Sequence, residues 1–177
     1  MTRLSPFGLL LLIGACAVSS RHPLGVGPEL LPPPAPIYLN PDSVPVLAGF
    51  SHAVKVGSTV YISGEVALDS AGAIVGAGDL ARQTDRALDN LEAVVRAARG
   101  LPADVVKLSI YVVGYTPADF AVVRDAVIRH MPAGQLPAIT LVGVAALPMA
   151  GLLISVDGIA VLHSALPDRE RDVRPAR

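Results

Sequence analysis

The chain has 177 residues, 52% hydrophobic and 16% charged, enough for one well-filled domain with appendages. A formal net charge of -1 gives no electrostatic reason to expect nucleic acid or an anionic membrane surface as partner, and the lack of Trp argues against a base-stacking platform. With Cys16 as the only cysteine, an internal disulfide is excluded.

Residues 1–18 read as a targeting signal. Arg3 supplies a positive start, Leu9 to Ile13 an apolar centre, and Gly14-Ala15 a small-residue site. The apolar run is too short for a stable membrane span. Ile13-Gly14-Ala15-Cys16 resembles a bacterial lipobox, in which the cysteine is lipidated and becomes the mature N-terminus. The expectation is an exported, membrane-anchored or periplasmic protein. An ordinary secretory signal, or an upstream start codon on a cytoplasmic protein, is the alternative.

Residues 19–44 read as a linker. Pro23, Pro28, Pro32, Pro33, Pro34, Pro36 and Pro41, with Pro45 at its end, forbid continuous helix or central strand and favour a semi-rigid spacer or a plain tail. The folded domain is expected over residues 45–163. Residues 52–56 form a short strand, Gly57-Ser58 a hairpin turn, and 59–68 the β-branched return strand. A Gly-rich loop over 69–78 leaves room for a short extended piece at Ile74-Val75.

A helix follows over residues 79–99. Leu80, Thr84, Ala87, Leu88, Leu91, Val94, Val95 and Ala98 recur at spacings of three and four, which gives one buried stripe. Asp85 and Asp89 are expected to pair with Arg82 and Arg86 on the exposed side. Gly100 and Pro102 stop the helix. Residues 105–113 form a strand. Thr116-Pro117-Ala118-Asp119 caps a second helix to about 131, burying Phe120, Val123 and Val127. Residues 138–146 and 152–162 are apolar runs expected to be buried on both faces. Residues 164–177 form a charged tail. The order ββαβαββ predicts an α+β fold, a mixed sheet with two helices on one face. Its other face is expected to be covered by further subunits.

Six segments stand out: Gly49-Phe50-Ser51-His52-Ala53, Val60 to Val66 with Ser63-Gly64-Glu65, Ala81-Arg82-Gln83-Thr84, Ala87 to Leu91, Asp104 to Leu108 and Pro137-Ala138-Ile139-Thr140. Together they resemble the RidA/YjgF family of imine deaminases, which has Ser-Gly-Gln at the second, and the resemblance covers about two-thirds of the chain. The resemblance implies a chorismate-mutase-like domain, a homotrimer, and a small-molecule site in each cleft between subunits. It implies hydrolysis of enamine or imine intermediates to 2-keto acids and ammonia. No cofactor is implied, and His22, His52, His130 and His163 have no metal-ligand spacing.

The resemblance assigns substrate binding to Phe50, Ser63, Gly64, Ile139 and Thr140, and catalytic positions to Asp157 and Arg124. Phe50 stands where the family has Tyr, Asp157 where it has Glu, and Arg124 where it has Asn. Ile139 stands where the family arginine grips the substrate carboxylate. A charge-assisted hydrogen bond contributes about 1.5–3 kcal/mol, and an unpaired buried carboxylate costs more. The expected activity is therefore a weak or absent 2-iminobutanoate/2-iminopropanoate deaminase with a cleft for a keto or imino acid. An active deaminase rescued by Arg124, hydrolysis of a carboxylate-free substrate, and a non-catalytic partner-binding trimer are the alternatives.

Lipidation at Cys16 is open to direct measurement. Labelled palmitate should enter the wild-type chain and be lost in Cys16→Ser, and label that persists in the mutant overturns the assignment.

Overall fold

A computed structural model describes residue 32 and residues 34–163. The targeting signal, Cys16, most of the linker and the charged tail lie outside the described residues.

Eight elements follow in chain order: β1 (Ile37–Leu39), β2 (Ala53–Val56), β3 (Thr59–Val66), α1 (Leu80–Ala97), β4 (Val105–Val113), α2 (Asp119–His130), β5 (Ala138–Val144) and β6 (Ile154–Val161). The strands form one six-stranded sheet in the order β1-β2-β3-β6-β4-β5. Among the described residues, only β4 and β5 pair in parallel, with α2 as the connection between them. This is the expected α+β mixed sheet, with one strand more.

That extra strand corrects the linker assignment. Ile37 pairs opposite Lys55 and Leu39 opposite Ala53, so the fold begins before Pro45. An edge strand has to be paired on one side only, so Pro36 and Pro41 bracket it without breaking a ladder.

Helix α1 is the principal cover of the sheet. Asp79 caps it by accepting from the Arg82 N–H at 3.0 Å. Ala87, Leu88, Leu91, Val94 and Val95 are fully buried against Leu108, Ile110, Ile154 and Val156. The chain reverses after the helix at Arg99, whose φ of 66° is left-handed, and not at the expected Gly100. Gly100 is needed for room instead: a Cβ there would lie 2.6 Å from Leu162 Cδ2.

Two charged residues of α1 pair differently from expectation. Asp85 bonds to Arg129 of α2 at 2.7 Å, and Arg86 donates through Nε to the Leu68 carbonyl at 2.8 Å. Tertiary neighbours thus replace the within-helix pairs. Helix α2 starts at Asp119, later than expected, because Thr116 N–H and Oγ both donate to Asp119 Oδ2 and close a turn ahead of it. Phe120 is half exposed, contrary to expectation, while Val123 and Val127 are buried as expected. Central strand β6 is largely buried. Strand β5 is an edge strand and largely exposed in the single chain, which corrects its expected burial on both faces.

Two amide side chains of α1 lie wholly inside this apolar packing. Gln83 donates to Gly76 O and Gly151 O and accepts from Leu153 N–H at 2.8 Å. Asn90 donates to Val66 O at 2.8 Å and Leu68 O at 3.0 Å. Asn90→Ala removes two buried hydrogen bonds, although Leu68 O keeps Arg86 Nε and Val66 O keeps the Leu68 N–H as donors, and a loss of about 1–3 kcal/mol is expected from urea unfolding. A loss below about 0.5 kcal/mol would rule out this anchoring role.

Candidate functional site

Strand β3 is interrupted where the chemistry-bearing residues sit. Its register with β6 shifts between Ile62 and Glu65, which places Ser63-Gly64 in a bulge. Ser63 N–H donates to His52 O at 2.8 Å, and Ser63 Oγ donates to Ser51 O at 2.7 Å. Gly64 packs directly against β6: a Cβ there would fall 2.5 Å from Ser155 Oγ. The bulge opens a cavity of about 200 Å³ lined by Phe50, His52, Ser63, Gly64, Glu65 and Leu152, among others. Three of the expected site residues, Phe50, Ser63 and Gly64, therefore meet here.

A second cavity of about 260 Å³ lies between α2 and the edge strand β5. Ile139 and Arg124 share its lining with Phe120 and Leu136. The Arg124 guanidinium bonds to Asp125, with Nε at 2.8 Å and Nη2 at 2.7 Å, and sits 5.8 Å from the Phe120 ring centre.

Asp157 and Thr140 fall on the opposite sheet face. Alternation along β5 sends Ile139 and Thr140 to opposite sides. Lys107 Nζ donates to Thr140 Oγ1 at 2.6 Å. Tyr111 donates its hydroxyl to Asp157 Oδ2 at 3.0 Å. That bond, then burial and the carboxylate charge, hold the Tyr111 phenol above its usual range. Within one chain, the expected site residues thus occupy three separate places.

The residues passed over by sequence reasoning are His52 and Glu65. His52 Nδ1 lies 2.8 Å from Glu65 Oε1. Glu65 is only 2% exposed, and His52 Nε2 is buried without a hydrogen-bond partner among the described residues. A carboxylate in place of the family's Gln, one hairpin away from a histidine, was the available signal. Burial pushes the Glu65 carboxyl up from its ordinary value of 4.5, against the lowering effect of His52. Among the described residues, no other charged side chain lines this cavity or the smaller one beside it, which is bounded by Val44, Leu68 and Asn90. Among the described residues, no group of three or more His, Cys, Asp or Glu could hold a metal ion.

A model of the family described as Endoribonuclease L-PSP matches residues 41–162. The chain belongs to the RidA/YjgF family. It is 30% identical over 130 residues to a 2-iminobutanoate/2-iminopropanoate deaminase of Dermatophagoides farinae, covering 73% of this chain and 98% of that protein. Protein DfrA of Myxococcus xanthus is 36% identical over 127 residues, with 70% and 93% covered. The crystal structure of RidA from the Antarctic bacterium Psychrobacter sp. PAMC 21119 superposes with a TM-score of 0.65 at 31% identity, covering 71% of this chain and 99% of that one. The six-stranded sheet with two helices is the fold of this RidA-family protein.

The Glu65 shift has a sign that can be measured. A carboxyl whose folded value is raised contributes stability below about pH 4.5 and loses it as pH rises through the folded value. Urea midpoints from pH 4 to 7 should therefore fall for wild type relative to Glu65→Gln. Parallel curves for the two proteins would contradict the raised value.

Proposed function

We propose that this RidA-family protein binds a small molecule in a cleft built around the Phe50, Ser63 and Gly64 cavity, and that it is weak or inactive on 2-imino acids. The observation that carries this reading is Ile139 in the position of the carboxylate-gripping arginine. Isoleucine offers neither charge nor donor, so the substrate carboxylate loses its bidentate partner. The lining of the Phe50 cavity supports the same reading, since among the described residues it holds the Glu65 carboxyl and neither Lys nor Arg.

The family resemblance supports a homotrimer whose subunits complete each cleft. The exposed apolar side chains Val106, Ile139 and Val142 on and beside the β5 edge are consistent with burial in such an assembly. Export with lipid attachment at Cys16 remains part of the proposal, resting on the sequence alone.

One observation favours the alternative of a working deaminase. Arg124 lines the same cavity as Ile139, so a guanidinium stands near the vacated position. Its bonds to Asp125 weigh against that role, because an approaching carboxylate has to displace a carboxylate already in place.

Imines generated by an amino-acid oxidase provide the test. Wild-type keto-acid release is expected about two to three orders of magnitude below that of a RidA deaminase carrying the arginine. Ile139→Arg should raise release at least about tenfold. Robust wild-type release that disappears in Arg124→Ala rejects the reading in favour of a rescued deaminase.

A further inference from the structure

His52 and Glu65 form a buried acid–base pair at the cavity assigned to ligand binding. The pair has the geometry of an oriented imidazole. Glu65 Oε1 lies 2.8 Å from Nδ1, and with Glu65 ionised the carboxylate only accepts, which puts the proton on Nδ1 in that state. Nε2 is then the free end of the ring. It is buried and without a partner among the described residues, while the ring as a whole is 11% exposed. Buried polar atoms are nearly always satisfied, and one that is not calls for a ligand, a water or a catalytic use.

The surroundings limit what that ligand is. Leu47, Phe50, Val66 and Leu152 make an apolar wall, and Glu65 is the one acid of the lining. A carboxylate ligand would face the like charge of an ionised Glu65 and find no Lys or Arg among the described lining residues. A nitrogen compound without a carboxylate avoids that repulsion. The cavity of about 200 Å³ takes only a small molecule.

We propose that His52, oriented by Glu65, is the proton-transfer residue of this cleft and acts on small imines that lack a carboxylate. This rests on the reading of the Phe50 cavity as the ligand site. The imidazolium gives its Nε2 proton to the imine nitrogen. Water adds to the imine carbon, the C=N π electrons pass to nitrogen, and the water's proton goes to Nε2. The same proton then moves to the carbinolamine nitrogen. As the C–N bond breaks, ammonia leaves, the hydroxyl proton returns to Nε2, and a carbonyl forms. One imine and one water give one carbonyl compound and one ammonia, and the imidazolium is regenerated. Glu65 is a positioning residue that fixes the tautomer and balances the imidazolium charge.

The test uses the assembled protein and two probes made in place. Butan-1-imine comes from butylamine and a flavin-dependent amine oxidase, and 2-iminobutanoate from 2-aminobutanoate and an amino-acid oxidase. Wild type should accelerate aldehyde release from butan-1-imine at least about tenfold more than keto-acid release from 2-iminobutanoate. His52→Gln, which puts in the other residue of the family pattern at this position, should lose about 100-fold or more on butan-1-imine. Glu65→Gln should lower the rate and displace its pH profile. Nitrogen-15 spectra of wild type should show His52 protonated at Nδ1, a readout that needs no variant to fold. No acceleration of butan-1-imine, full activity in His52→Gln, or a ring protonated only at Nε2 would each overturn the inference. Butan-1-imine hydrolysis indifferent to His52→Gln rejects the dyad and leaves the cleft standing. Efficient 2-iminobutanoate hydrolysis instead rejects the proposed function itself.

Discussion

Helix α1 carries two amides into an apolar core, and an amide buried without partners costs about 1–3 kcal/mol. Gln83 and Asn90 meet that demand with backbone atoms of the segments around 66–68, 76 and 151–153. Those segments lie where strands end and loops begin, and the two amides add to the turn and bridge hydrogen bonds they already make. The helix therefore fixes them, and Val66 and Leu152 among them line the cavity. The core and the site share one support. A change on the hidden side of α1 reaches the cavity through two or three hydrogen bonds.

The sheet then decides which groups meet. Period-two alternation puts Ile139 with α2 and Thr140 with Lys107, although they are neighbours in sequence. The bulge at Ser63-Gly64 breaks that alternation once, and Glu65 is turned into the interior as a result. There it meets His52, the residue just ahead of β2. Asp157 is a different kind of acid. It is partly exposed and already accepts from a phenol, so it has a partner in place.

What was legible in the sequence follows from the range of each signal. The Gly57-Ser58 turn, the Asp79 cap and the α1 stripe are local and were read correctly. Strand β1 was hidden because its prolines signal loop, while its pairing with β2 is set by residues about 15 positions away. Asp85 and Arg86 looked like helix-surface partners, yet each found a tertiary one. The site was legible only in part. Phe50, Ser63 and Gly64 converge as expected, whereas Arg124 with Ile139 and Asp157 with Thr140 stand elsewhere in the single chain. The His52–Glu65 contact depends on a bulge, and no periodicity in one strand encodes it.

That contact also changes what the scaffold is able to do. A pair of glutamines at 52 and 65 would fill nearly the same space and exchange hydrogen bonds, but neither amide takes up or releases a proton near neutral pH. Imidazole and carboxyl are both proton-transferring groups. The exchange carries a cost, because a carboxyl with 2% exposure resists ionisation. Packing alone offers no return for that cost, since an amide would satisfy the same neighbours without it. A buried, mutually oriented acid and base beside a cavity is the arrangement in which such a cost is matched by chemistry. The fold of the family is thus retained here, and the acid–base pair proposed to move protons stands at the bulge, apart from Asp157 on β6.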